Sequence, residues 1–78
     1  MRLKSGDIVR FKMEQGTLLA GMTGICRIDS FEKSQHGTVV YIDTQKEDGS
    51  FVSRFARLWP FEIWFAPVGS EQFEIYVG

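Results

Sequence analysis

Few side chains in this sequence have the types and spacing that chemistry requires. The single histidine, His36, precedes Gly37 in a polar stretch, with no serine, cysteine or carboxylate placed around it as a proton relay needs, and it reads as a loop surface residue. The single cysteine, Cys26, sits between Ile25 and Ile28 in an apolar run and reads as a small buried hydrophobe. One cysteine makes neither an internal disulfide nor a cysteine-based zinc site. Asp43, Glu47 and Asp48 surround a turn but lack the spaced oxygen ligands of a calcium loop. Gly21-x-x-Gly24 lacks the lysine and following helix of a phosphate-binding loop. Glu62 lies in an aromatic run, where burial raises a carboxyl pKa and pairing with Arg54 or Arg57 keeps it ionised; both readings stay open. No catalytic residue, metal site or cofactor is expected, and the chain is expected not to be an enzyme. Catalysis here would need several copies to share a pore, because the acid–base groups are few and scattered.

Binding chemistry is better supplied. Eight of the 11 aromatic residues fall between Phe51 and Tyr76. A core this small does not easily enclose them all, and a strand through Trp64 and Phe65 sends the two to opposite faces. Exposed aromatics mark partner sites, so Trp59, Phe61, Trp64 and Tyr76 are the candidate protein-binding residues. The alternative is that residues 68–78 fold over this surface and bury it. A second set, Arg10, Lys12, Arg27, Arg54 and Arg57, offers the charge that phosphates need beside rings on which bases stack. An ordinary solvated face balanced by Asp7, Asp29 and Asp43 accounts for the same residues. Net charge is −1 from nine basic and ten acidic residues, which weighs against nucleic acid as the main partner. The first 33 residues carry six of the basic and four of the acidic groups, so a local basic face is permitted.

The elements that must position these residues are strands. Seventy-eight residues make one small domain (1–78), burying about 60% of the unfolded surface. The chain has no repeat, linker or membrane-length apolar run and starts on a polar stretch, so a cytoplasmic protein is expected. In Asp7–Met13, Val9, Phe11 and Met13 alternate with Ile8, Arg10 and Lys12, the pattern of a half-buried strand. Gly21 and Gly24 suit a turn and a bent strand start where a side chain would clash. Ser30–His36 reads as a loop, Thr38–Asp43 as a central strand, and Asp48-Gly49 as a hairpin turn. Phe51–Arg57 reads as the returning strand, although Phe51, Phe55 and Leu58 also fit helical spacing. Pro60 ends that element, Phe61–Phe65 resumes an extended run, and residues 71–77 alternate as a last strand. The class is all-β: a small five- to six-stranded barrel or rolled antiparallel sheet.

Gly6-Asp7-x-Val9-x-Phe11 and Gly21-x-x-Gly24-x-Cys26-x-x-Ile28 resemble the opening of small Src-homology-3-like (SH3-like) barrels of the KOW and Tudor kind. Arg57-Leu58-Trp59-Pro60-Phe61-Glu62 resembles the short turn before their last barrel strand. The resemblance spans about residues 5–66, at the level of fold. It implies a module that binds protein, RNA or DNA and is seldom an enzyme. The acidic loop and paired-tryptophan groove of polyproline-binding barrels have no match here. A protein partner met through the aromatic surface is the expectation, as for an accessory subunit or modulator of a larger machine. A phage or plasmid protein acting on a host complex would be one example. A KOW-type nucleic-acid barrel is the alternative, and the same aromatic surface also suits a homodimer.

Overall fold

The computed structural model describes residues 2–14, 21–59 and 61–70, with backbone alone for residues 53–55. Among the described residues, five antiparallel strands lie in one sheet: β1 (Ile8–Met13), β2 (Thr23–Ser34), β3 (Gly37–Gln45), β4 (Phe51–Trp59) and β5 (Ile63–Pro67). Their order is β4-β3-β2-β1-β5, so a four-strand meander is completed by a strand that returns to pair with the first. The described sheet is rolled and remains open between β4 and β5. None of the described residues forms a helix long and apolar enough to cross a membrane.

The alternation in β1 decides what the roll encloses. Val9, Phe11 and Met13 point inward and are buried. In register, Phe11 faces Gly24 of β2 and Phe65 of β5, and Met13 faces Ile63. Cys26 and Ile28, Val40 and Ile42, and Leu3 complete the core. A Cβ on Gly24 would lie 3.2 Å from the Phe11 ring, which is why that strand start carries no side chain.

Ser30–His36 is not a loop. β2 continues to Ser34, and only Gln35 and His36 make the turn into β3. The register shifts at Asp29 between Ile28 and Ser30, so Phe31 faces inward opposite Val40 while Ser30, Glu32 and Ser34 occupy the outer face. The polar composition reflects that wet outer face. Tyr41 donates its hydroxyl proton to Glu32 across it (2.9 Å). At the tip, the Ser34 hydroxyl donates to the Gly37 carbonyl (3.0 Å) and accepts from the His36 N–H (3.2 Å).

Asp48-Gly49 turns the chain from β3 to β4 with Gly49 at φ +90°. The Asp48 carboxylate accepts from the Ser50 N–H and hydroxyl, which holds its carboxyl below the usual range. The segment from Phe51 is a strand throughout, and it extends past Arg57 to Trp59. Phe61 and Glu62 belong to a turn, so extended structure resumes only at Ile63. The strand expected at 71–77 and the role given to Pro60 lie outside the described residues.

Candidate binding surface

β3 is apolar on both faces. Val40 and Ile42 enter the core, while Val39 and Tyr41 face outward, opposite Leu58 and Ala56 of β4. Val39, Ala56 and Leu58 thereby form an apolar floor outside the core. Ser34 and His36 rise on one side from the β2–β3 hairpin tip, and Arg57 and Glu62 stand on the other. Together they line a groove of about 310 Å³.

Two hydrogen bonds fix the corner that closes the groove. The Glu62 N–H donates to the Leu58 carbonyl (2.7 Å), and the Glu62 carboxylate accepts from the Leu58 N–H (2.7 Å). Phe61, held between them, is 62% exposed. It stands beside the hairpin tip: the position a Cβ would take on Gly37 is 3.6 Å from the Phe61 ring and 3.5 Å from the Leu58 side chain. An exposed ring thus borders an apolar groove.

The other aromatic candidates are dispersed. Trp59 packs against the core from β4. Trp64 is half-buried on the outer face of β5, in register with Lys12, while its neighbour Phe65 is fully buried. The expected split between Trp64 and Phe65 is therefore present, but it directs Trp64 to the opposite face of the sheet from Trp59. Both indole N–H groups are buried without an acceptor among the described residues. Tyr76 lies outside the described residues.

Arg10, Lys12 and Arg27 do share the outer face of β1 and β2, where Ile8 faces Arg27, Arg10 faces Ile25 and Lys12 faces Thr23. Arg10 donates to the Ser70 carbonyl and so holds the turn after β5. Arg27 pairs with Asp43 (3.3 Å) and lies over the Phe51 ring, 4.7 Å from its centre. Lys12 is exposed. Arg57 does not join this set: it stands opposite core residue Val40 and donates to the Ala56 carbonyl (2.7 Å). The side chain of Arg54 lies outside the described residues.

Among the described residues, the one thiol is not poised as a nucleophile. Burial, and then the negative charge of Asp43, push the Cys26 thiol up to about 12. It stays protonated and packs as an apolar side chain. Asp43 is engaged with Arg27 and Asp48 with Ser50. Among the described residues no three His, Cys, Asp or Glu side chains group as metal ligands would.

Val39, Leu58 and Ala56 escaped the sequence reading as groove residues, and His36 and Glu62 were read there in other roles. The available signal was the unbroken run Val39-Val40-Tyr41-Ile42, which demands apolar cover on both sides of one strand. No protein-family model, curated protein or solved structure matches the chain.

Proposed function

We propose that this chain is a non-catalytic binding module, an accessory or modulator protein, that seats a protein partner on the groove between the β2–β3 hairpin tip and the β4–β5 corner. The carrying observation is Phe61, 62% exposed at the rim of a groove floored by Val39, Ala56 and Leu58. A large ring beside an apolar floor is how a partner's apolar side chain is desolvated, and such residues dominate interface energetics. Phe61 is the primary contact, with Trp59 supporting the corner from inside. The KOW- and Tudor-like reading draws support from the four-strand meander with its returning fifth strand. A cytoplasmic setting agrees with a lone cysteine kept as a buried thiol. The protein reading is favoured over nucleic acid because Arg10, Arg27 and Arg57 each donate to an acceptor of this chain.

The test is affinity capture from lysate of the native source, using the wild type, Phe61→Ala and Lys12→Glu, with and without nuclease. A defined protein retained through nuclease treatment and by Lys12→Glu, and lost with Phe61→Ala, is the expected result. Capture that collapses with nuclease and with Lys12→Glu, while Phe61→Ala retains it, overturns the proposal in favour of the basic face.

A further inference from the structure

The Asp48-Gly49 pair at the β3–β4 turn carries chemistry that the groove does not use. It is the one Asp-Gly pair in the sequence, which contains no asparagine. Such a pair can close on itself. The Gly49 nitrogen attacks the side-chain carbonyl carbon of a protonated Asp48. A C–N bond forms, the carboxyl C–OH bond breaks, and the hydroxyl leaves as water with the amide proton. One water then adds to the cyclic imide. Entry at the side-chain carbonyl restores aspartate, and entry at the main-chain carbonyl leaves a β-aspartyl link of unchanged mass. Glycine favours the closure because it carries no side chain to shield the attacking nitrogen or restrict its backbone.

Both reacting groups are held in the folded turn. The Gly49 N–H donates to the Lys46 carbonyl (3.0 Å). The Asp48 carboxylate accepts from the Ser50 N–H (2.9 Å) and hydroxyl (2.6 Å). Hydrogen bonds to the charged form keep a carboxyl ionised, so the hydroxyl that must leave is missing. The Lys46 N–H donates to the Ser50 carbonyl (2.7 Å) and the Gln45 side-chain amide to the Gly49 carbonyl (3.1 Å), which closes the turn around the pair. We propose that Asp48 is a modification site, the point of spontaneous β-aspartyl conversion in this chain, which the bonds from Ser50 and to Lys46 suppress while the end of the β3–β4 hairpin is closed and which proceeds once it opens. Conversion puts one more carbon into the main chain of the turn. Gln45 and Phe51, the ladder pair beside that turn, then lose their register, and Phe51 loses its place under Arg27. The site lies at the other end of the hairpin from the groove, so the inference is independent of the partner proposed there.

The experiment warms the intact chain and the peptide 47–54, which trypsin releases by cutting after Lys46 and Arg54, side by side at neutral pH for weeks. Chromatography with electron-transfer fragmentation counts the aspartyl and β-aspartyl forms at Asp48. The peptide lacks Lys46 and the folded turn. It should convert at least about tenfold faster than the chain, the factor that one hydrogen bond to a charged group is worth. Ser50→Ala in the chain removes the hydroxyl contact and should convert several-fold faster than the wild type, while the same substitution in the peptide should change little. Circular dichroism reports whether that variant is folded. If it is not, the wild type in rising urea takes its place, and its rate should climb to that of the peptide as the hairpin opens. Wild-type conversion at the peptide's rate, no conversion in the peptide, a folded Ser50→Ala chain no faster than the wild type, or a wild-type rate that urea leaves unchanged overturns the inference.

Discussion

Gly37 joins the hairpin tip to the corner, and replacing it with alanine tests that junction directly. Its φ of +140° lies in a region that residues with a side chain rarely enter. A Cβ there would sit 2.7 Å from the backbone oxygen of Trp59, closer than real Cβ contacts come. The backbone strain costs about 1–3 kcal/mol. Relieving the overlap moves two paired backbones apart, at about 1 kcal/mol for a weakened hydrogen bond. Alanine also stiffens the unfolded chain, which returns about 0.5 kcal/mol. The expected net loss is about 2.5 kcal/mol, a large part of the roughly 4–12 kcal/mol typical of a chain of this length. Gly49→Ala is the control: its φ is +90°, but a Cβ there meets nothing within 4 Å. That variant should lose only about 1 kcal/mol, the backbone term alone. Urea unfolding of both variants measures the difference. Losses that agree within about 0.5 kcal/mol would refute the idea that contact with Trp59 holds the tip against the corner.

The Cys26 thiol keeps its proton to about pH 12 in the folded chain against an ordinary value of 9.0. The folded state therefore holds the extra proton, so this contribution is complete below pH 9 and declines between 9 and 12, by up to about 1.4 kcal/mol per pH unit. Unfolding measured from pH 8 to 11 should show that decline, and Cys26→Ala should flatten it. Asp43→Asn removes the charge that raises the thiol, so thiolate absorbance should appear at lower pH than in the wild type. For the Arg27–Asp43 pair, with side chains 46% and 19% exposed, a double-mutant cycle should give less than 1 kcal/mol. Arg27→Ala should cost more than Asp43→Ala, because it also removes the contact with Phe51.

The core was legible wherever period-2 alternation ran without interruption. Val9, Phe11 and Met13 show this, as does the placement of Phe65 inside with Trp64 outside. The end of β2 was not, because the irregularity at Asp29 reverses the alternation and sets Ser30, Glu32 and Ser34 on a solvated face that composition alone presents as a loop. Phe51–Arg57 read as a strand that also fitted helical spacing; pairing with β3 decides it, and pairing is a non-local property. Phe61 was legible as an aromatic with too little core to enter. Its groove was not, because Val39 and Leu58 meet only through a register that joins β3 to β4.

The pairing of β1 with β5 also has a consequence in time. Val9 meets Pro67, and Met13 meets Ile63, so the first strand waits for nearly the whole described chain before its second neighbour exists. At about 5–20 residues per second, synthesis leaves roughly 3–12 s between the two. Through that interval the meander of β1 to β4 exists without Ile63 and Phe65, with the rings and thioether of Phe11 and Met13 open on one flank. Contacts of such long sequence separation slow folding. A chain interrupted before Ile63 is thus a sheet whose core is uncovered along β1, and it is in this nascent form, rather than with β5 in place, that the molecule is most exposed to aggregation.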